Sequence, residues 1–497
     1  MYTAGDPAIL VTMEKRNTRV VKAAIAFNLM IVCALLLLPM EAGEVYIQNY
    51  VVDVCCLLVV SVLYVRYSFV HGFNVFDPIL FITLIYSFLY FVAPIYDILI
   101  EKYTWFGYRL FQYGVKSSVV ALGGYIAFYL LYIGAIRVKS PIPIQQKNKL
   151  TETKIETDEK SAKLIVMIIL FLYAASFAAN VFYLLHSGYK NILYILTMGI
   201  LGKGSESVEE LSSIRFVAMF SYCLPTLTLL YWEYGRNKWV TLVLFIPMLM
   251  MQITRGFRFI IIQIAVSFAA YYFISRKKKP KLRHLLAILI ILMVPVLLMT
   301  LFRNDVRSGV GISLGVLPSA TLLDALDDAF WDNFRIYNNY YGIVHSIPSR
   351  FPYVYLRQIL IGTLVMAIPH AVWPGKIATG AGEDLSVIIG SRLAGTGQAY
   401  PGLGEFYYAF GIFGVLFFMA LYGIWMRHVK VRFFSNPSSR TDTIVFAVLL
   451  GANLQILIRG YTPSNFWYVV FSLIPIYIVK SVEATLIRRK LRNGENS

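Results

Sequence analysis

The pattern in this chain that could do chemistry is carried by arginine. Arg255 and Arg258 lie three residues apart and Arg303 and Arg307 four apart, each pair where an apolar run meets polar chain. Arg459 stands alone in the same kind of place. Within a helical turn either spacing puts both guanidinium groups on one side. A guanidinium forks onto phosphate or carboxylate oxygens, whereas an ammonium acts as a point charge. Holding an arginine at membrane depth costs about 2.5–3.5 kcal/mol at a helix centre and less near an interface. Two readings fit these arginines. Either they grip a diphosphate or an acidic sugar, or they snorkel to outer-leaflet headgroups or pair with Asp305 and Glu405.

Candidate acids and bases are fewer. Glu405 opens an apolar run in the stretch Gly402-Leu403-Gly404-Glu405-Phe406-Tyr407. There it could take a proton from a hydroxyl or simply satisfy a helix N-terminus. His345 and His370 are candidates for a direct role or for interfacial hydrogen bonding, and Glu41 or Glu44 could equally supply a base. Asp324, Asp327, Asp328 and Asp332 share most of one face of a helix capped by Ser319, whose other side carries Leu322, Leu323, Leu326, Phe330 and Phe334. Such a face is solvated or binds a divalent cation. Trp331, Tyr337, Tyr340, Tyr341, Trp373, Tyr400 and Tyr407 could stack on sugar rings or form an aromatic belt. The chain has no GxSxG, HExxH or Walker motif, so its substrate must arrive already activated. Cys33, Cys55, Cys56 and Cys223 all fall in apolar runs without a CxxC, which excludes a disulfide framework and a zinc site. No metal and no cofactor are expected.

The elements that position these residues are membrane helices. Of 497 residues 58% are hydrophobic and 14% charged, against about half and a quarter in soluble domains. Apolar windows fall near 20–38, 51–65, 79–96, 117–136, 163–185, 214–231, 239–254, 259–274, 285–302, 406–426, 441–458 and 464–480. They are read as crossings of a hydrocarbon core roughly 30 Å thick. The spacing predicts a single all-α, polytopic membrane domain over 1–497 with about twelve crossings. The basic run 15–22 precedes the first window, and 39–41 offers no cleavage site, so that window reads as an uncleaved helix. The formal charge of +18 punctuates the windows instead of forming a nucleic-acid stripe. With both termini cytoplasmic, 29 Lys and Arg fall inside and 16 outside, as positive-inside retention requires. Outside the count is 11 Arg to 5 Lys, inside 13 to 16. The gap 137–162 reads as a solvated cytoplasmic linker. The gap 303–404 is a large outer loop with interfacial helices, including a run at 359–368 too short to span. The two halves show no internal repeat.

Two stretches of the outer segment resemble a known family. Ile368-Pro369-His370-x-x-Trp373-Pro374-x-Lys376 and Gly404-Glu405-x-Tyr407-x-x-Phe410-Gly411-x-x-Gly414 are similar to motifs of the bacterial oligosaccharide repeat-unit (O-antigen, Wzy-type) polymerases. Phe76-Asp77-Pro78-Ile79-Leu80-Phe81 and the pair Arg255 and Arg258 also look like family features. The chain departs from the pattern at His370, where relatives have Arg, at Ile377 in place of Pro and at Ala409 in place of Asn. The resemblance implies a metal-independent membrane glycosyltransferase with a glycosyltransferase C-like fold in the bacterial plasma membrane. It would join undecaprenyl-diphosphate-linked oligosaccharides, as donor and acceptor, on the outer face, to build O-antigen, capsule or exopolysaccharide. Arg255, Arg258, Arg303, Arg307, Arg459 and Lys376 would hold the diphosphate or an anionic sugar, and Glu405, His370 or His345 would serve as base. A chain-length regulator is an expected partner. The rivals are an O-antigen ligase and, from a different class, a flippase for lipid-linked oligosaccharides. A flippase should show two repeated halves and short outer loops, which this sequence lacks.

Overall fold

The computed structural model describes residues 43–104, 114–134, 159–186, 216–254, 258–276, 334–366, 401–435 and 439–492, with a few single positions besides, among them Asp327, Trp331, Trp373 and Ile388. The windows 20–38 and 285–302 and the linker 137–158 lie outside the described residues, as does most of 303–333. Within them the protein is helical and has no strand.

The elements in chain order are α1 (Glu44–His71), α2 (Pro78–Leu99, with a wider π turn at Phe88–Val92), α3 (Gly114–Ile133) and α4 (Glu159–His186). They are followed by α5 (Cys223–Tyr234), α6 (Lys238–Thr254), α7 (Arg258–Ser275), α8 (Tyr337–Ser346) and α9 (Thr363–Met366). The last three are α10 (Gly402–Val429), α11 (Arg440–Ile458) and α12 (Thr462–Arg492). Seven of the described helices are long and apolar enough to cross a membrane: α1, α2, α3, α4, α10, α11 and α12. α6 and α7 are apolar but shorter. The multi-pass membrane protein read from hydropathy is therefore what the chain builds.

Lipid gives no hydrophobic reason for one apolar helix to leave it for another, so close packing and polar contacts must hold the bundle. Glycines supply the first. A Cβ on Gly124 of α3 would lie 2.8 Å from Val415 Cγ1 of α10, and one on Gly423 of α10 would collide with the Phe128 carbonyl of α3. α7 and α11 meet in the same way, since a Cβ on Gly451 would stand 2.6 Å from the Gln263 carbonyl.

Pro94 explains the π turn in α2. Proline cannot donate to the helix, and its ring crowds the carbonyl four residues back. A wider turn relieves both: the Ala93 N–H reaches the Phe88 carbonyl instead of Leu89. The turn aims Tyr90 at the start of α10, where its hydroxyl accepts from the Leu403 N–H at 3.2 Å. That contact, with the Tyr340 hydroxyl donating to the Ser117 carbonyl at 3.1 Å, gathers α2, α3, α8 and α10 at one end of the bundle, the Glu405 end.

The opposite end, marked by Asp77, is tied by charge. Asp77 caps α2, accepting from the Ile79 N–H at 3.3 Å, with Pro78 at the position where its missing N–H costs nothing. The same carboxylate accepts from Tyr67 at 2.7 Å and Tyr132 at 2.5 Å and pairs with Lys430 at 2.5 Å. Asp442 pairs with Lys480 and Arg432, and Glu233 with Arg440.

Candidate functional site

At the Glu405 end two interlocked glycines set the geometry. A Cβ on Gly402 would lie 2.8 Å from the Leu457 carbonyl, and one on Gly460 would collide with the Gly402 backbone. The first turn of α10 therefore presses directly on the turn between α11 and α12, which carries Arg459. Glu405 then reaches α12. Its Oε1 and Oε2 accept from the Thr462 N–H at 3.1 and 2.9 Å, and Oε2 also accepts from Thr462 Oγ1 at 2.7 Å. A carboxylate from one helix thus caps another, satisfying an amide that has no partner within its own helix. Glu405 is 1% exposed, so these contacts must stand in for the hydration it gives up. The Arg459 carbonyl accepts from Asn465 Nδ2 at 2.9 Å, which fixes the turn; its side chain is half-buried.

One turn further, α10 breaks. Phe410 (φ −145°, ψ 21°) and Gly411 (φ 63°, ψ −141°) leave the helical region, and the Gly411 conformation is open in practice only to glycine. The break frees the Tyr408 and Ala409 carbonyls, which inside a membrane protein need other donors. A strap from the segment after α8 supplies them: the Val354 and Tyr355 N–H groups donate to these carbonyls, each at 3.1 Å. The Tyr353 hydroxyl fills the space a Cβ on Gly411 would take, 2.8 Å away. Tyr355 pays with a positive φ of 50°, a strain of about 1–2 kcal/mol.

Against this strap lies a patch of cations. Lys116, from the first turn of α3, sits 5.8 Å from the centroid of the buried Tyr407 ring. His345 ends α8, and the following turn is closed by the Arg350 N–H on the Ser346 carbonyl at 2.8 Å and by Ser349 Oγ on the His345 carbonyl at 2.8 Å. Burial, then the charges of Arg350 and Lys116, hold the His345 pKa below its ordinary value, so its imidazole is neutral at neutral pH and able to accept a proton. Burial and the neighbouring Tyr407 raise the Tyr353 phenol against the pull of Lys116.

α8 is held in place by a buried ion cluster. Arg335 Nε donates to Asp97 Oδ1 at 3.0 Å, and its Nη1 and Nη2 donate to the Asp327 oxygens at 2.8 and 3.3 Å. Tyr337 donates to the other Asp97 oxygen at 2.9 Å and Tyr96 to Asp327 at 3.2 Å. Tyr96 and Trp331 stack with centroids 4.1 Å apart. Burial works against the Arg335 charge, but the bonds to Asp327 and Asp97 raise its pKa all the same. Burial also raises Asp327, yet Arg335, Lys102 and Tyr96 outweigh it and the net shift is downward.

The sequence-derived candidates are distributed as follows. Glu405 and Arg459 come together at the interlocked turn. His345 stands with Lys116 and Arg350, two cations the sequence reading did not single out. Arg258 opens α7; Arg255, Arg303, Arg307, His370 and Lys376 lie outside the described residues, as do Glu41, Asp324, Asp328 and Asp332. Asp327, expected on a solvated or metal-binding face, is turned to Arg335, which the sequence reading also missed. The only signal for that pairing was an arginine eight residues beyond an aspartate. Among the described residues no three His, Cys, Asp or Glu side chains converge as metal ligands.

Comparison with curated proteins and with solved structures gave no match. The family model of the O-antigen polysaccharide polymerase Wzy, however, matches residues 24–485. This covers nearly every element described above, and the chain belongs to that family.

Proposed function

We propose that this protein polymerises oligosaccharide repeat units carried on undecaprenyl diphosphate, building O-antigen or a related capsule or exopolysaccharide. The observation that carries the reading is the family match over 24–485. The Glu405 end supports it, because it joins a histidine able to accept a proton to cations of two elements. In this reading the Glu405 end faces outward from the bacterial inner membrane and both termini are cytoplasmic. The fold is glycosyltransferase C-like, with crossings added by 20–38 and 285–302. A chain-length regulator is the expected protein partner.

The reaction needs an acceptor hydroxyl, an anomeric carbon and a leaving diphosphate. The hydroxyl oxygen attacks the anomeric carbon and a glycosidic bond forms. The bond from that carbon to the diphosphate breaks, and undecaprenyl diphosphate leaves with the electron pair. The hydroxyl proton goes to a base. Arg255, Arg258, Arg303, Arg307, Arg459 and Lys376 hold the diphosphate and stabilise its growing charge. Of the candidate bases His345, His370 and Glu405, this reading favours His345, because burial and the charges of Arg350 and Lys116 keep its ring neutral and able to take a proton. Glu405 would first have to release Thr462, so its present contacts favour a positioning role.

Membranes from cells carrying Arg258→Ala or His345→Gln should accumulate single lipid-linked repeat units, with Glu405→Gln run beside them. Normal ladders of long chains from both Arg258→Ala and His345→Gln would end the scheme. Transfer of finished chains to lipid A core without ladder formation would identify a ligase, and movement of units across the bilayer without bond formation a flippase.

A further inference from the structure

The first turn of α3 and the continuous segment 346–355, far from each other in sequence, meet beside the break in α10 and bring complementary chemistry. The strap contributes Tyr355, which is 60% exposed. Its backbone is nevertheless fixed, by the positive φ and by the N–H bond to the Ala409 carbonyl. The ring meets Phe410 edge to face at 5.6 Å and lies 6.4 Å from Tyr353. An interfacial tyrosine needs only the right depth; strain and two backbone bonds are what a rigid platform requires. The first turn of α3 contributes Lys116 and the turn after α8 contributes Arg350. Both are exposed, and among the described residues neither has a carboxylate within ion-pair distance. Lys116 lies 5.8 Å from the Tyr407 ring of α10 and Arg350 stands three residues before Tyr353, so the charges and the rings lie around the same stretch of α10; the pull of both cations on His345, and of Lys116 on Tyr353, agrees with this.

We propose that this patch is a saccharide subsite that takes a negatively charged sugar, with Tyr355 under the sugar ring and Lys116 and Arg350 on its carboxylate. A neutral sugar would use the aromatic face and have no need of two cations. A phosphate would use the cations and have no need of a rigid exposed ring. Carboxylate and pyranose together use all of it. The inference rests on the polymerase reading and adds to it the substrate class: a repeat unit that contains an acidic sugar, bound next to the candidate base His345.

The test uses the full-length protein in nanodiscs of zwitterionic lipid, with ligand-observed NMR. The probes are methyl glucuronide, methyl glucoside and inorganic pyrophosphate. The wild-type protein should bind the glucuronide about tenfold more tightly than the glucoside, as expected for hydrogen bonds to a charged group. Lys116→Ala with Arg350→Ala should abolish that preference. Tyr355→Ala should weaken both sugars and Tyr355→Phe should restore them. Lys160→Ala, which removes an exposed cation elsewhere on the protein, should change nothing. Equal binding of the two sugars, or a preference that survives the double substitution, overturns the proposal. So does pyrophosphate binding with no glucuronide signal, which would make this a phosphate site. Because no polymer is read, failure here leaves the polymerase reading standing. Loss of ladders in cells with sugar binding intact would do the reverse.

Discussion

Asp77 and Glu405 are both carboxylates at the start of a membrane helix, at opposite ends of the bundle, and their surroundings differ. Asp77 caps its own helix and is neutralised by Lys430, with the Tyr67 and Tyr132 hydroxyls completing its shell. Glu405 caps a different helix through Thr462 and, among the described residues, pairs with no cation. The two ends follow suit. Around Asp77 the carboxylates Asp442 and Glu233 also meet cations on neighbouring helices. At the Glu405 end Arg335 is closed between Asp97 and Asp327, while Lys116 and Arg350 remain exposed beside the strap. Charge at the Asp77 end holds helices together. At the Glu405 end the charges of Arg335, Asp97 and Asp327 are closed in one cluster, and Lys116 and Arg350 stand outside it.

The largest effect should come from breaking the buried cluster. Arg335→Ala strands Asp97, which is 2% exposed, and should cost about 3–5 kcal/mol, read as a fall in melting temperature in detergent. Adding Asp97→Ala should recover part of the loss. A single variant as stable as wild type would contradict the geometry. Next, His345→Gln should slow polymerisation by about a hundredfold or more if His345 is the base, with stability little changed. Glu405→Gln should stay within about tenfold of wild type, because an amide oxygen still accepts from Thr462. The opposite ranking would make Glu405 the proton acceptor.

Lys430→Met tests the other side of the comparison. Asp77 keeps its tyrosines and its amide, so the loss should be about 1–3 kcal/mol, and ladders per folded molecule should be unchanged. Ladders lost from a folded Lys430→Met protein would show that the Asp77 end also takes part in the reaction. The smallest effect is a pH shift. The folded pKa of His345 lies below its ordinary value of about 6.5, so the fold favours the neutral ring. That contribution to stability is complete above pH 6.5 and is lost as pH falls through the folded pKa. Polymerisation should likewise rise with pH through an inflection below 6.5. Lys116→Ala should move the inflection upward by a fraction of a unit, whereas an inflection unmoved by this change would separate Lys116 from His345.

Hydropathy alone located α1, α2, α3, α4, α10, α11 and α12, because a membrane demands a long run of apolar residues and the chain shows it. What it missed depends on contacts between distant residues. Glu405 reads as a carboxylate at a helix start, which it is; that it caps a helix 57 residues on has no local trace. The break at Gly411 falls inside an unbroken apolar run, and only the glycine marks it. The period of 319–334 separates an acidic from an apolar face, but it could not tell solvent from Arg335. Lys116 sits just before an apolar run and Arg350 in the stretch 346–352 of the long gap, and nothing in the sequence relates the two.

The most direct test of the account is incubation of the purified protein with a single defined undecaprenyl-diphosphate-linked repeat unit, with the products resolved by size. The expected product is a ladder of longer oligosaccharides still attached to the lipid diphosphate, with free undecaprenyl diphosphate released for each bond made. A folded protein that leaves the repeat unit unextended would contradict it.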